Sequence, residues 1–154
     1  YVLSLTKTES AGSVFNLAIA EKASVKDVDL SVKLKANGGK NDQGGGMVWR
    51  YKDEKNYYVC RINPLEGNYR VYKVVDGKRT QLQSADVNTE AGKWYTLRAE
   101  MKGSAITCYL DGKKLMEATD DTLQDAGLVG VWTKADAATS FDNVTATSLA
   151  PHDQ

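Results

Sequence analysis

The chain contains one histidine in 154 residues, His152, two residues from the C-terminus. Terminal residues are seldom held in a site. A Ser-His-Asp or Cys-His relay, a histidine-rich zinc centre and a two-histidine iron site are therefore not expected in the body of the chain. An excess of charge of either sign is also lacking: Lys+Arg is 20 and Asp+Glu is 20, a net of 20 − 20 = 0. Without a basic field, nucleic acid is not expected as the main partner, and an anionic membrane surface gains no support. No apolar run approaches the roughly 18 residues of a membrane helix. There is neither an initiating Met nor a signal peptide before Tyr1, which leads us to expect a processed or trimmed fragment. Any catalysis has to run on carboxylates, Lys, Tyr or a bound ion, so carbohydrate chemistry and plain binding lead.

The length fits one domain with a full core; we expect it over 1–150, with 151–154 as a tail. Strand signals dominate. Val28 to Lys35 alternates apolar and polar residues with the period of a half-buried strand. A glycine-rich loop follows over 38–46, then strands over Met47–Tyr51, Tyr57–Asn63 (closed by Pro64) and Tyr69–Val75. Asp76-Gly77 and Asp111-Gly112 are two-residue hairpin turns. They join Tyr69–Val75 to Thr80–Ser84 and Ala105–Leu110 to Lys113–Ala118. Further strands are predicted over Val2–Thr6, Val14–Ala20, Trp94–Met101, Gly127–Lys134 and Ser140–Ser148, with a short helical turn within Thr119–Asp125. No segment keeps helical periodicity over three turns, and no internal repeat is evident. Ten or more short strands punctuated by turns predict an all-β, two-sheet antiparallel sandwich, a jelly roll or a barrel.

Four stretches carry a family resemblance: Gly92-Lys93-Trp94-Tyr95-Thr96-Leu97-Arg98, Ile106 to Lys113, Gly127-Leu128-Val129-Gly130-Val131-Trp132, and Phe141-Asp142-Asn143-Val144. Together they resemble the concanavalin A-like jelly roll. More narrowly they resemble secreted bacterial domains of the laminin-G-like group, near the 3-keto-disaccharide hydrolases and family 16 glycoside hydrolases. Gln43 to Tyr51 and Asn56 to Pro64 extend the resemblance, which covers roughly Val14 to Ser148. It implies two antiparallel sheets, one convex and one concave, with sugar bound across the concave face. The Glu-x-Asp-x-x-Glu strand of family 16 enzymes does not occur here, so their activity is not carried over. The fold hosts lectins, hydrolases, lyases and adhesion modules alike.

Period-2 geometry sorts the candidate site residues. Tyr57, Val59, Arg61 and Asn63 share one face; Tyr58, Cys60 and Ile62 share the other and read as core. Arg61 and Asn63 can hydrogen-bond vicinal hydroxyls or a uronate carboxylate. Equally, Arg61 can pair with an acid across the sheet while Asn63 caps the turn before Pro64. Trp49 (grouped with Met47 and Tyr51) and Trp132 (grouped with Gly130 and Lys134) are candidate stacking platforms for a sugar ring; Trp94 reads as inter-sheet core. Arg70 and Tyr72 share a face that reads as solvated or as an extension of the groove. Asp42 and Gln43 sit where they can reach over a groove mouth. The jelly-roll resemblance implies that Asp142, with Asn143 and Asp27 or Asp29, is a candidate set for a structural calcium, which needs six to eight oxygens; the other reading of Asp142 is a side-chain to backbone bond. Cys60 and Cys108 are compatible either with one disulfide or with two buried thiols.

Three functions follow in order. The first is a secreted or periplasmic, non-catalytic, monomeric domain that binds an oligo- or polysaccharide through Gln43, Trp49, Arg61, Asn63, Trp132 and Lys134. The second is a carbohydrate-active enzyme, a glycoside hydrolase or a keto-disaccharide hydrolase type, for which Glu66, Asp42 and Asp136 are the acids nearest the face and which needs two carboxylates roughly 5–10 Å apart or a metal-assisted proton abstraction. The third is a structural or adhesion module of a larger envelope protein.

Overall fold

The computed structural model describes residues 2–5, 15–40, 43–135 and 137–149. His152, the tail, Asp42 and Asp136 lie outside them. The described residues form twelve strands: β1 (Val2–Leu5), β2 (Phe15–Val25), β3 (Val28–Gly38), β4 (Gly45–Asp53), β5 (Asn56–Asn63), β6 (Asn68–Val75), β7 (Lys78–Asp86), β8 (Trp94–Lys102), β9 (Ala105–Leu110), β10 (Lys113–Thr119), β11 (Gly127–Lys134) and β12 (Ala138–Ser148). They make two six-stranded sheets, β1-β12-β3-β8-β9-β10 and β2-β11-β4-β5-β6-β7. Every pairing is antiparallel. This is the predicted jelly-roll sandwich.

The two Asp-Gly turns form because both residues adopt left-handed backbone, Asp76 at φ 52° with Gly77 at 80° and Asp111 at 49° with Gly112 at 84°. That conformation matches the twist of the flanking strands, and Asp and Gly tolerate it best. The predicted helical turn within Thr119–Asp125 is absent. Its amides bond side chains instead: Thr122 N–H donates to Asp120 Oδ2 at 3.1 Å and Leu123 N–H to Tyr58 Oη at 3.2 Å. Local acceptors of this kind compete with the helical ladder.

The main core lies between the sheets. Val28, Leu30, Val32 and Leu34 of β3 and Leu97, Ala99 and Met101 of β8 meet Met47, Trp49, Tyr58, Cys60, Ile62 and Val71 of the second sheet. A second apolar cluster, Val48, Tyr57, Val59, Tyr72, Val74 and Trp132, sits on the opposite, outer face of the second sheet. The second sheet is thus apolar on both faces along its middle strands, and β5 reads as an almost unbroken buried run.

Two tryptophans exchange their expected places. Trp49 has no exposed surface and belongs to the inter-sheet core. Its ring stacks on Tyr58 with centroids 6.0 Å apart. Trp94 is 40% exposed on the outer face of the first sheet, beside Lys35. Trp49 points inward by ordinary alternation with Met47; just beyond it Arg50 adopts left-handed backbone at φ 48°, and the β4–β5 register shifts between Trp49 and Asp53. This bulge breaks the alternation. Met47 and Trp49 point inward, whereas Tyr51 joins the outer cluster. Trp94 is outward because Tyr95, Leu97, Ala99 and Met101 take the inward positions of β8.

Candidate functional site

On the outer face of the second sheet the six strands bring six residues into one transverse row. Leu17 pairs with Trp132, Trp132 with Gly46, Gly46 with Arg61, Arg61 with Arg70, and Arg70 with Ser84. Gly46 is required by the backbone: a Cβ there would lie 1.7 Å from the Cys60 carbonyl oxygen. One glycine strand therefore separates the indole from the guanidinium.

Trp132 is only 2% exposed. Its Nε1–H donates to Tyr57 Oη at 3.3 Å, two strands away, so the indole reaches across β4. Burial pushes the Tyr57 phenol up to about 12, a shift that the bond from Trp132 only partly offsets. Trp132 forms the floor of the face and is no open stacking platform. Trp49, on the inner face, is removed from any surface site. Lys134 is half-buried, at the β2 side of the sheet.

The polar centre surrounds Arg61, which is 4% exposed. It donates to Asn68 Oδ1, to Glu66 Oε1 at 3.2 Å and to Tyr72 Oη at 2.9 Å. Burial pulls its pKa down, but a guanidinium keeps its charge. Arg70 donates to Ser84 Oγ at 3.1 Å and to Tyr72 Oη at 3.4 Å, and lies 3.6 Å from Glu66. Arg79 lies over the Tyr72 ring, its guanidinium carbon 4.2 Å from the centroid. Three guanidiniums thus surround one phenol, and two of them share one carboxylate.

Asn63 holds the turn that presents this carboxylate. Its Oδ1 accepts from Leu65 N–H at 2.9 Å and Glu66 N–H at 3.2 Å, while Gly67 N–H donates to its carbonyl at 2.9 Å. Of its two expected roles the structure builds the turn cap. At 1% exposure it offers a ligand no open donor or acceptor surface. Glu66, by contrast, has a side chain 48% exposed. Burial raises its pKa, but Arg61, the Asn68 amide and Arg70 outweigh that and hold it below the usual carboxylate range.

Sequence reading picks out Arg61 but passes over Asn68, Arg70 and Tyr72 as partners and Glu66 as their counter-ion. The alternation in Tyr69–Lys73 does place Arg70 and Tyr72 on one face. What it omits is the register with β5, which sets Arg70 directly opposite Arg61.

The remaining expected residues stand apart from this centre. Gln43 donates to the Gly39 carbonyl at 3.4 Å, within its own loop. Asp142 accepts from Asn143 N–H at 2.8 Å. Asp29 is held by two bonds from Arg98 at 3.0 and 2.8 Å, and Asp27 accepts from Arg50 and from Gly103 N–H. These acids do not converge with Asp142, and no group of three metal-ligating side chains occurs among the described residues. A cleft of about 380 Å³ opens at one end of the sandwich between Arg50, Lys52 and Thr122–Ala126. Arg50 spends its donors on Lys26, Leu123 and Gly103 carbonyls and on Asp27, so it acts as a clamp between loops. Cys60 and Cys108 are both buried free thiols.

The described residues thus form an all-β jelly roll with an Arg, Glu, Asn and Tyr network on one sheet face. Residues 18–149 match the family described as galactocerebrosidase, C-terminal lectin domain, and the chain belongs to that family. It is 25% identical over 129 residues to a levanase from Bacillus subtilis, spanning 82% of this chain and 19% of the levanase. It is 31% identical over 96 residues to an extracellular exo-alpha-L-arabinofuranosidase from Streptomyces chartreusis, spanning 62% of this chain and 11% of that enzyme. Among solved structures, the carbohydrate-binding module CBM66 from Bacillus subtilis superposes with a TM-score of 0.78 at 20% identity, covering 94% of this chain and 99% of the module. The chain thus spans less than a fifth of either curated relative. Lectin-domain membership, with the matched stretch a small part of glycoside-acting enzymes, makes this chain a carbohydrate-binding module.

Proposed function

We propose that the glycan binds on the outer face of the second sheet, over the Arg61–Glu66–Arg70–Tyr72 centre, and that this module serves a larger secreted carbohydrate-active enzyme by holding it on its polysaccharide. The observation that carries the reading is the buried guanidinium of Arg61, fixed by Asn68, Glu66 and Tyr72 beside the partly exposed Arg70 and Glu66. Charge-assisted donors fixed in advance lose little entropy when they meet sugar hydroxyls. The face is continuous with an aromatic floor of Tyr57, Tyr72 and Trp132. The module binds as a monomer and does no chemistry itself. A glycosidase needs one carboxyl kept protonated as general acid. Glu66, the acid at this centre, is instead held ionised by two arginines.

The test is retention on insoluble polysaccharides together with a glycan array. Parent protein is retained, Arg70→Ala and Arg61→Met bind at least about tenfold more weakly, and Arg98→Ala on the opposite sheet binds as the parent does. Parent-like binding by both Arg61→Met and Arg70→Ala would place the site elsewhere.

A further inference from the structure

Glu66 is a carboxylate carried on a turn and half open to solvent, yet it lies against a nearly buried guanidinium. Its Oε1 accepts from Arg61 at 3.2 Å and from the Asn68 amide at 3.4 Å, and stands 3.6 Å from Arg70. The sheet itself supplies the donors; the turn supplies only the acceptor. Among the described charged groups around this point, Arg61 and Arg70 face Glu66, Arg79 lies over the Tyr72 ring, and Asp86 is near Arg70 at the end of β7. Like charges crowd one another here: Arg70 and Arg79 both act against the charge on Arg61. A ligand that displaces Glu66 with its own carboxylate keeps that repulsion offset, whereas a neutral sugar in the same place leaves the two arginines uncompensated.

We infer that the module prefers an acidic saccharide, and that a uronate carboxylate occupies the Arg61–Arg70 centre in place of the Glu66 side chain, which turns out into solvent. The inference rests on the saccharide face proposed above and specifies its ligand class. Geometry favours a carboxylate, since one carboxylate oxygen, Glu66 Oε1, already sits against both guanidiniums. Arg70 is the accessible half of the pair, with 31% of its side chain exposed, so it meets the ligand first. Arg61 provides the fixed, nearly buried half. Glu66 acts as a built-in competitor that keeps the two arginines compatible when no ligand is bound.

The experiment is calorimetric titration of the full chain with four oligosaccharides of equal length: oligogalacturonate, its methyl ester, a sulfated galactan and a neutral fructan. Oligogalacturonate is expected to bind about tenfold or more tightly than its methyl ester at low salt, with the advantage shrinking as salt rises. Glu66→Gln is expected to tighten oligogalacturonate binding severalfold, and Arg70→Ala to bring the acid-to-ester ratio close to one. Arg98→Ala keeps the parent ratio. Equal binding of acid and ester, or a preference confined to the sulfated galactan, overturns the inference. If the neutral fructan or the ester binds at this face as well as the acid does, the saccharide-binding reading stands and only the acidic preference falls. If none of the four binds and polysaccharide retention also fails, the reading of the face fails as well.

Discussion

The Trp49 indole N–H points at the sulfur of Met101, 3.2 Å away across the gap between the sheets. A residue beside a polar run on β4 thus ties the two layers together at their centre. Trp49→Ala is expected to destabilise the fold by about 3–5 kcal/mol through the cavity it leaves. Trp49→Phe keeps a ring and loses the N–H, at a cost of about 1–3 kcal/mol. Urea unfolding measures both. At temperatures where Trp49→Phe stays folded, its polysaccharide retention matches the parent's, because Trp49 does not reach the surface.

Arg61 is expected to resist conservative replacement. Arg61→Lys keeps the charge but cannot reach Asn68, Glu66 and Tyr72 together from one planar fork. It should lose saccharide binding nearly as fully as Arg61→Met. Arg61→Met, of similar length and apolar, should be the more stable of the two, since removing the charge also removes its desolvation cost. Retention assays paired with thermal melts separate the two effects.

At the acid end, Glu66 and Asp120 both have pKa values below their ordinary 4.5 and 3.8. For Asp120, burial acts upward and is outweighed by bonds from Tyr58 and Thr122. A carboxylate depressed in the folded state stabilises the fold above its unfolded value. That contribution is lost as pH falls from there through the folded value. The urea midpoint should therefore decline from about pH 4.5 downward. Glu66→Gln should flatten that decline; an unchanged slope counts against the pairing.

At the alkaline end the sign reverses. Burial lifts Tyr57 from 10.0 to about 12, and raises Tyr58 and Tyr69 as well, Tyr58 also through its bond to Asp120. The folded state then holds protons that the unfolded chain has released, so stability falls as pH rises between about 10 and 12. An ultraviolet titration should show only part of the eight tyrosines ionising reversibly, with the rest appearing together as the protein unfolds.

Cys60 and Cys108 are both fully buried, on strands of opposite sheets, and the hydrogen bond with the Cys60 thiol, followed by burial, holds Cys108 well above the ordinary thiol range. A thiol reagent should modify neither in the native protein and both in guanidinium under non-reducing conditions. A count below two after unfolding would reveal a bridge.

How far the chain can be read in advance differs between elements and contacts. Ala105–Leu110 and Gly127–Lys134 emerge with the same bounds as expected, and the two Asp-Gly turns fall where their residues demand left-handed backbone. The inner and outer sets of β5 also separate as the alternation implies, because a pleat repeats every two residues regardless of what packs on it. The tryptophans follow the same pleat: Trp94 shares its face with Thr96, Arg98 and Glu100 and points outward, while Trp49 shares its face with Met47. Which face of β4 is the inner one is not local, because Val48 and Tyr51 on the other face are apolar as well.

The site divides in the same way. Local sequence determined that Arg61 shares a face with Asn63, that Arg70 shares one with Tyr72, and that Asn63 precedes a turn: each depends on neighbours a few residues apart. Only the tertiary structure decided that Arg61 and Arg70 stand opposite one another, that Glu66 lies against both, and that Trp132 reaches across β4 to Tyr57. Register and side-chain reach between strands depend on which strands become neighbours. That is settled by burial of the whole sheet, which no single stretch of chain encodes.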